Sequence, residues 1–286
     1  MNDASAGSAD CANCGARLAD RYCGHCGQDS HASLSFGHFL HEFFEGLLHV
    51  DSKFWRTLRA LLTRPGLLTL DYLEGKRLRY SPPFRSYLVI SIAYFVLASI
   101  FSAPSTWVVG ARGQEMRVED CPRMAAEPGW LLRFVPDLEA SCVRLLSNDQ
   151  RVLDTALQSM LPKVMFVVLP LVALVQFWIF RRQRPLYLEN LIFVLHFQSF
   201  YYVASTFALL LAAAVAALAG ARGWVGESFD FLVYAWSVVY LFLAVRRVYL
   251  ASTSRTVFGL CAMAASYMIF WVLGVSVAGL YAFLRA

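Results

Sequence analysis

Apolar residues gather in five long runs, 86–103, 161–180, 191–219, 229–245 and 257–284, and arginine, proline and polar clusters interrupt them. A helix advances about 1.5 Å per residue and a hydrocarbon core is about 30 Å thick, so roughly twenty apolar residues cross it. The pattern predicts five transmembrane helices; the first and fourth runs are a little short, while the third and fifth can tilt or begin in the interface. Upstream the periodicity changes. Phe36, Phe39, Leu40, Phe43, Phe44, Leu47 and Leu48 recur at helical spacing, opposite His38, His41, Glu42 and Glu45. Asp51 is placed to cap a second amphipathic helix with Phe54, Leu58, Leu61 and Leu62 on its apolar side, and Pro65-Gly66 ends it. Residues 34–85 are therefore expected to be helices that lie in the membrane interface or pack across the cytosolic ends of the spans.

Composition agrees with this pattern: 58% hydrophobic residues, 16% charged residues and a mean hydropathy of +0.51 are too apolar for an ordinary soluble domain. The net charge of +5 acquires meaning from its position. Lys53, Arg56, Arg59, Arg64, Lys76, Arg77, Arg79 and Arg85 precede the first run. Arg181, Arg182 and Arg184 follow the second, and Arg246, Arg247 and Arg255 follow the fourth. Five spans put these three regions on one side, which the positive-inside rule makes cytosolic. The first thirty residues hold no cationic stretch followed by an apolar one, so no cleavable signal peptide is expected. The N-terminus is then cytosolic and the C-terminus outside. Residues 1–10 read as a polar, disordered tail.

Residues 104–160 mix arginines with a slight excess of acids and read as a small extracytoplasmic domain. Cys121 and Cys142 would both face an oxidising compartment, where a disulfide and two unpaired thiols are the alternatives. Pairing requires Cα atoms within about 7 Å.

The chemistry is concentrated at the start of the chain. Cys11-Ala-Asn-Cys14-Gly15 and Cys23-Gly-His-Cys26-Gly27 are two Cys-x-x-Cys-Gly knuckles. Each aims two thiolates at one point, and the glycine permits a backbone turn that brings amides to the sulfurs. Residues 11–30 are read as a zinc ribbon in which Cys11, Cys14, Cys23 and Cys26 close a tetrahedral, structural Zn²⁺ site; a pair of disulfides or redox thiols is disfavoured by the cytosolic location. His25 and His31 could compete as ligands, but the four cysteines complete the set. Arg17 and Arg21 stand against Asp3, Asp10, Asp20 and Asp29, so the module has no basic stripe for nucleic acid.

Elsewhere, Lys76, Arg77 and Arg79 form a basic cluster suited to anionic lipid headgroups at the bilayer surface. His38, His41 and His49 are read as polar-face histidines in preference to a second metal site. Lys163, Gln176, His196, Gln198 and Asp230 are the polar groups within the runs, and Lys163 and Asp230 can snorkel to the interface. Glu189 and His196, seven apart, share nearly one helix face. They suit either a proton relay or polar substrate contact, or an interhelical hydrogen bond.

Tyr22 to Gln28, Asp51-Ser-Lys-Phe-Trp-Arg-Thr-Leu58, Arg64-Pro-Gly66, Tyr72-Leu-Glu-Gly-Lys-Arg77 and Tyr80-Ser-Pro-Pro-Phe-Arg85 resemble the bacterial membrane family called domain of unknown function 3667. The similarity is dense from about Cys11 to Tyr87, with 189–197 the best further match. It implies a zinc ribbon joined to a multi-helix domain of the bacterial inner membrane and brings no activity with it. No Asp-rich metal motif, Ser/His/Asp arrangement or phosphate loop marks an enzyme. The functional expectation is a non-enzymatic adaptor or assembly factor with a protein partner at the cytosolic face. The alternative is a small-molecule or proton-coupled transporter using the second and third spans.

Overall fold

The computed structural model describes residues 10–29, 52–101, 150–219 and 224–285, with the isolated positions 122 and 143. The described chain is all-helical and contains no strand. Its elements are α1 (Ser52–Thr63), α2 (Leu67–Leu73), a 3-10 turn (Arg77–Arg79), α3 (Pro83–Phe101), α4 (Gln150–Phe180), α5 (Tyr187–Ala219), α6 (Trp224–Tyr249) and α7 (Thr253–Arg285). Two isolated β-bridges, Asp10 with Arg17 and Tyr22 with Asp29, shape the N-terminal module. The predicted helix over 36–48, the histidines at 38, 41 and 49, and Cys121 and Cys142 lie outside the described residues.

Among the described residues, five helical segments are long and apolar enough to cross a membrane: Arg77–Phe101, Met160–Phe180, Tyr187–Leu218, Ser228–Tyr249 and Thr253–Val277. The chain is thus a multi-pass membrane protein. Large apolar side chains point outward along these helices, among them Val96, Val167, Trp178, Phe231 and Ile269. Water would penalise that surface, whereas lipid accepts it, and a helix meets the bilayer's demand by satisfying its backbone internally. The short apolar run at 229–245 belongs to a longer helix, because backbone bonding continues past the apolar residues. It stops where Leu250 turns left-handed, with φ 48, and donates its N–H to the Arg246 carbonyl.

The chain divides into two compact units, Met1–Ala98 with Leu169–Ala264, and Ser99–Val168 with Ala265–Ala286. In the second unit, Gly274 of α7 faces the Val164 side chain of α4 so closely that a Cβ there would collide with it. In the first, aromatic rings fill the interior. Phe180 stacks on Tyr249 at 4.2 Å, Phe193 meets Tyr249 edge-on at 5.3 Å, and Phe200 stacks on Tyr240 at 3.6 Å. Gly259 makes room for Phe180, whose ring would lie 2.6 Å from an added Cβ.

The segment between module and spans is a collar. α1 buries Thr57, Ala60 and Leu61 and turns Trp55, Arg56 and Arg59 outward. Tyr240 of α6 donates its hydroxyl to the Leu61 carbonyl at 2.9 Å, and Arg247 donates to the Pro65 carbonyl at 2.7 Å. Gly66 adopts φ 75 between the two collar helices, and a Cβ there would sit 3.0 Å from the Ala244 carbonyl oxygen. The apolar side of α1 thus packs against span residues. Thr57 closes the collar on itself: its hydroxyl donates to the Lys53 carbonyl and accepts the Ser81 N–H at 2.9 Å.

Candidate metal centre and its seat

The module's two knuckles repeat one backbone design. Cys11 N–H donates to the Ala16 carbonyl at 2.8 Å, and Cys23 N–H to the Gln28 carbonyl at 2.9 Å. Gly15 N–H closes on the Cys11 carbonyl and Gly27 N–H on the Cys23 carbonyl, each at 2.8 Å. Gly15 and Gly27 take φ 75 and 77, the left-handed region that favours glycine. Opposing the knuckles brings the four Sγ atoms within 4.8 Å of one another, with Cys11–Cys26 and Cys14–Cys23 both at 3.6 Å. Metal–sulfur bonds of about 2.3 Å in a tetrahedron separate the sulfurs by about 3.8 Å. The cluster therefore fits a thiolate-bound metal ion, and all four coordination positions are supplied by the chain. Among the described residues these four cysteines are the one group of His, Cys, Asp or Glu close enough to share an ion; His25 stands outside it.

The sulfurs are not equivalent. The backbone amides of Cys26 and His25 hold the Cys23 thiol down to about 6, outweighing burial. Cys26 is also pulled below the ordinary thiol range: burial opposes this, and the Gln28 amide and the Asn13 side chain prevail. Cys14 is pushed up to about 12, because burial beside Cys23, Cys26 and Cys11 overrides the lowering effect of the Ala16 amide. Crowding disfavours ionising all four sulfurs together, and a bound metal ion would supply the charge that offsets it.

The module rests on the collar. Gln28, almost wholly buried, donates from Nε2 to the Gly75 carbonyl at 2.6 Å. Gly75 has φ 87, and a Cβ on it would meet Ala12 Cβ at 3.1 Å. The module also has an open surface: Tyr22 is 57% exposed, with the Arg21 guanidinium 5.5 Å above its ring and bonded to Asp29 at 3.0 Å.

Residues 51–95 match the family described as protein of unknown function, DUF3667. The matched stretch holds α1, α2, the 3-10 turn and the first part of α3, so it is the collar and the seat of the module; the cysteines lie upstream of it. The resemblance read from the motifs is supported over that stretch. Its motif residues have structural duties: Thr57 and Ser81 tie the collar's ends, Gly66 admits the Ala244 backbone, and Gly75 takes the module. No curated protein and no solved structure matches the chain.

The basic cluster is more engaged than its sequence shows. Lys76 Nζ lies 2.7 Å from Glu74 Oε2 and 3.1 Å from Asp71 Oδ1, and these carboxylates raise its pKa. Arg77 lies 5.4 Å from the Tyr72 ring centroid and Arg79 5.9 Å from that of Tyr80. The cluster is thus a stapled turn, with Lys76 neutralised by its neighbours.

Glu189 and His196 are both buried but have separate partners. Glu189 accepts the Leu186 N–H at 3.2 Å and faces Arg184 at 3.6 Å. Leu186 directly precedes α5 and Glu189 is its third residue, so the carboxylate serves as the back-bonding half of a capping box. His196 Nδ1 pairs with Thr69 Oγ1 of α2 at 3.0 Å, which is an interhelical hydrogen bond. Lys163 and Asp230 are exposed.

Sequence reading did not show the bonds that complete these networks. Asn190 donates to the Leu186 carbonyl and accepts from the Tyr249 hydroxyl at 2.9 Å, while Arg184 donates to the Val248 carbonyl. Gln28 stood inside a quoted motif, and its place directly after Gly27 was the available signal.

Proposed function

We propose that the chain is a non-enzymatic adaptor or assembly factor of the bacterial inner membrane, which holds a structural zinc ribbon at the cytosolic face for a protein partner. The observation that carries this reading is the closed cysteine site on a seated module. Four thiols take every tetrahedral position and leave none for a substrate or an activated water. The module's outward side, with Tyr22 set by Arg21 and Asp29, offers an amphipathic contact, and Tyr and Arg are favoured anchors of protein interfaces. The basic face of the collar supports cytosolic orientation and contact with anionic headgroups, through outward Arg56 and Arg59 beside Trp55. Metal analysis of the reduced, purified protein should give about one zinc per chain, the stoichiometry of a four-thiolate site; a folded sample with well under half of that removes the site. Crosslinking in native membranes should recover a partner whose capture disappears with Cys23→Ser, and recovery independent of residues 11–62 removes the adaptor.

One observation favours the transporter alternative. Gln176 is buried within α4 beside the Tyr249 hydroxyl, which donates to Asn190. Such an amide is where a polar solute would bind in a span. The transporter requires Gln176→Leu and His196→Ala to abolish the native gene's phenotype while the metal remains bound; a phenotype that survives both ends that reading.

A further inference from the structure

We propose that metal occupancy of the four-cysteine site decides whether the N-terminal module sits on the C-terminal turn of α2, which makes the module a metal-dependent clamp on the collar. The inference rests on metal binding as read above and adds how that site acts on the rest of the chain.

The two sides of the joint are built differently. On the module side, both contacting residues belong to the metal knuckles. Ala12 lies between the first pair of cysteines, and Gln28 closes the second knuckle by accepting the Cys23 N–H at its carbonyl. Among the described residues of the module only Cys11, Cys23 and Gln28 are buried, so it has no apolar core of its own. A segment of this size without a core depends on its metal for a folded state. On the collar side the seat is already formed. Gly75 N–H donates to the Tyr72 carbonyl at 3.1 Å and Lys76 N–H to the Asp71 carbonyl at 2.8 Å, and the Lys76 ammonium spans both carboxylates. α2 is itself held to α5 by the Thr69–His196 bond.

Loss of the metal therefore dissolves the surface that positions Gln28 and Ala12, and the turn that receives them, though still formed, loses the stabilisation that seating gave its own hydrogen bonds. The module lets go and the backbone of 74–76 becomes open to water. Coupling is reciprocal: whatever factor the metal contributes to seating, seating contributes to metal affinity. One hydrogen bond of the Gln28–Gly75 kind corresponds to about fivefold.

The test is amide hydrogen exchange on the full chain in nanodiscs, in three states: zinc-loaded, chelator-stripped, and zinc-loaded Gln28→Ala. Exchange at 74–76 should be about fivefold faster in the second and third states than in the first, and Gln28→Ala should bind zinc about fivefold more weakly. Where Gln28→Ala cannot be loaded, Gly75→Ala serves, because it leaves every module residue intact. It should retain zinc and show faster exchange at Ala12 and Asn13. Equal exchange at 74–76 with and without zinc, or loaded variants that exchange like the native chain, overturns the clamp alone. A chain that takes up no zinc overturns the metal reading and the clamp together.

Discussion

At Cys14 and Cys23 the surroundings act in opposite directions on chemically identical thiols. Two backbone amides hold Cys23 at about 6, and crowding by the other sulfurs pushes Cys14 up to about 12. With the knuckles folded, Cys23 is therefore the readier thiol to ionise and Cys14 the more reluctant. Metal entry must displace the Cys14 proton, so affinity rises with pH, by about tenfold per unit from that proton alone. Each further thiol that must lose its proton steepens this dependence. Competition with a chelator between pH 5 and 8 measures the slope; a pH-independent affinity contradicts thiolate ligation. The cysteine spacing made the four-cysteine cluster legible, because paired Cys-x-x-Cys knuckles leave a local signature. The inequality of the sulfurs was not legible, since it depends on which amides and which sulfurs the folded knuckles bring together.

Among the elements, the collar shows how a short amphipathic stretch becomes a fixed part. Its helices and their boundary at Pro65-Gly66 followed from apolar spacing and from proline and glycine. Its partners, Tyr240, Arg247 and Ala244, come from residues nearly two hundred positions away. Gly66 is the narrow point, left-handed and pressed against the Ala244 carbonyl. Gly66→Ala should cost about 2 kcal/mol, from left-handed strain of about 1–2 kcal/mol and the displaced contact. Thr57→Val should cost about 1 kcal/mol through its lost hydrogen bonds. Thermal unfolding in detergent should rank Gly66→Ala below Thr57→Val and both below the native chain; the reverse order would place the tight contact elsewhere. Glu189 teaches the converse. At a predicted span entrance it invited a proton-relay reading, yet three positions into α5 it caps the helix and faces Arg184. Single-sequence reading saw its seven-residue offset from His196 but could not see the helix start that gave it other work.

For the whole molecule, five candidate crossing segments, taken with the positive-inside rule for the three arginine-bearing stretches, predict a topology with the N-terminus inside and the C-terminus outside. A reporter fused after Ala286 should be active outside the cytosol, and one placed before Asp10 inside it; two cytosolic ends would remove one of the five spans. By itself the sequence determined that this is an all-helical, multi-pass membrane protein with a four-cysteine cluster at its N-terminus. Apolar run length and ligand spacing are local quantities that survive without neighbours. Only the tertiary structure decided that the module is seated through Gln28 on Gly75 and that His196 is bonded to Thr69 of the collar. Where a polar side chain finds its partner depends on how distant helices pack, and no periodicity along the chain encodes that.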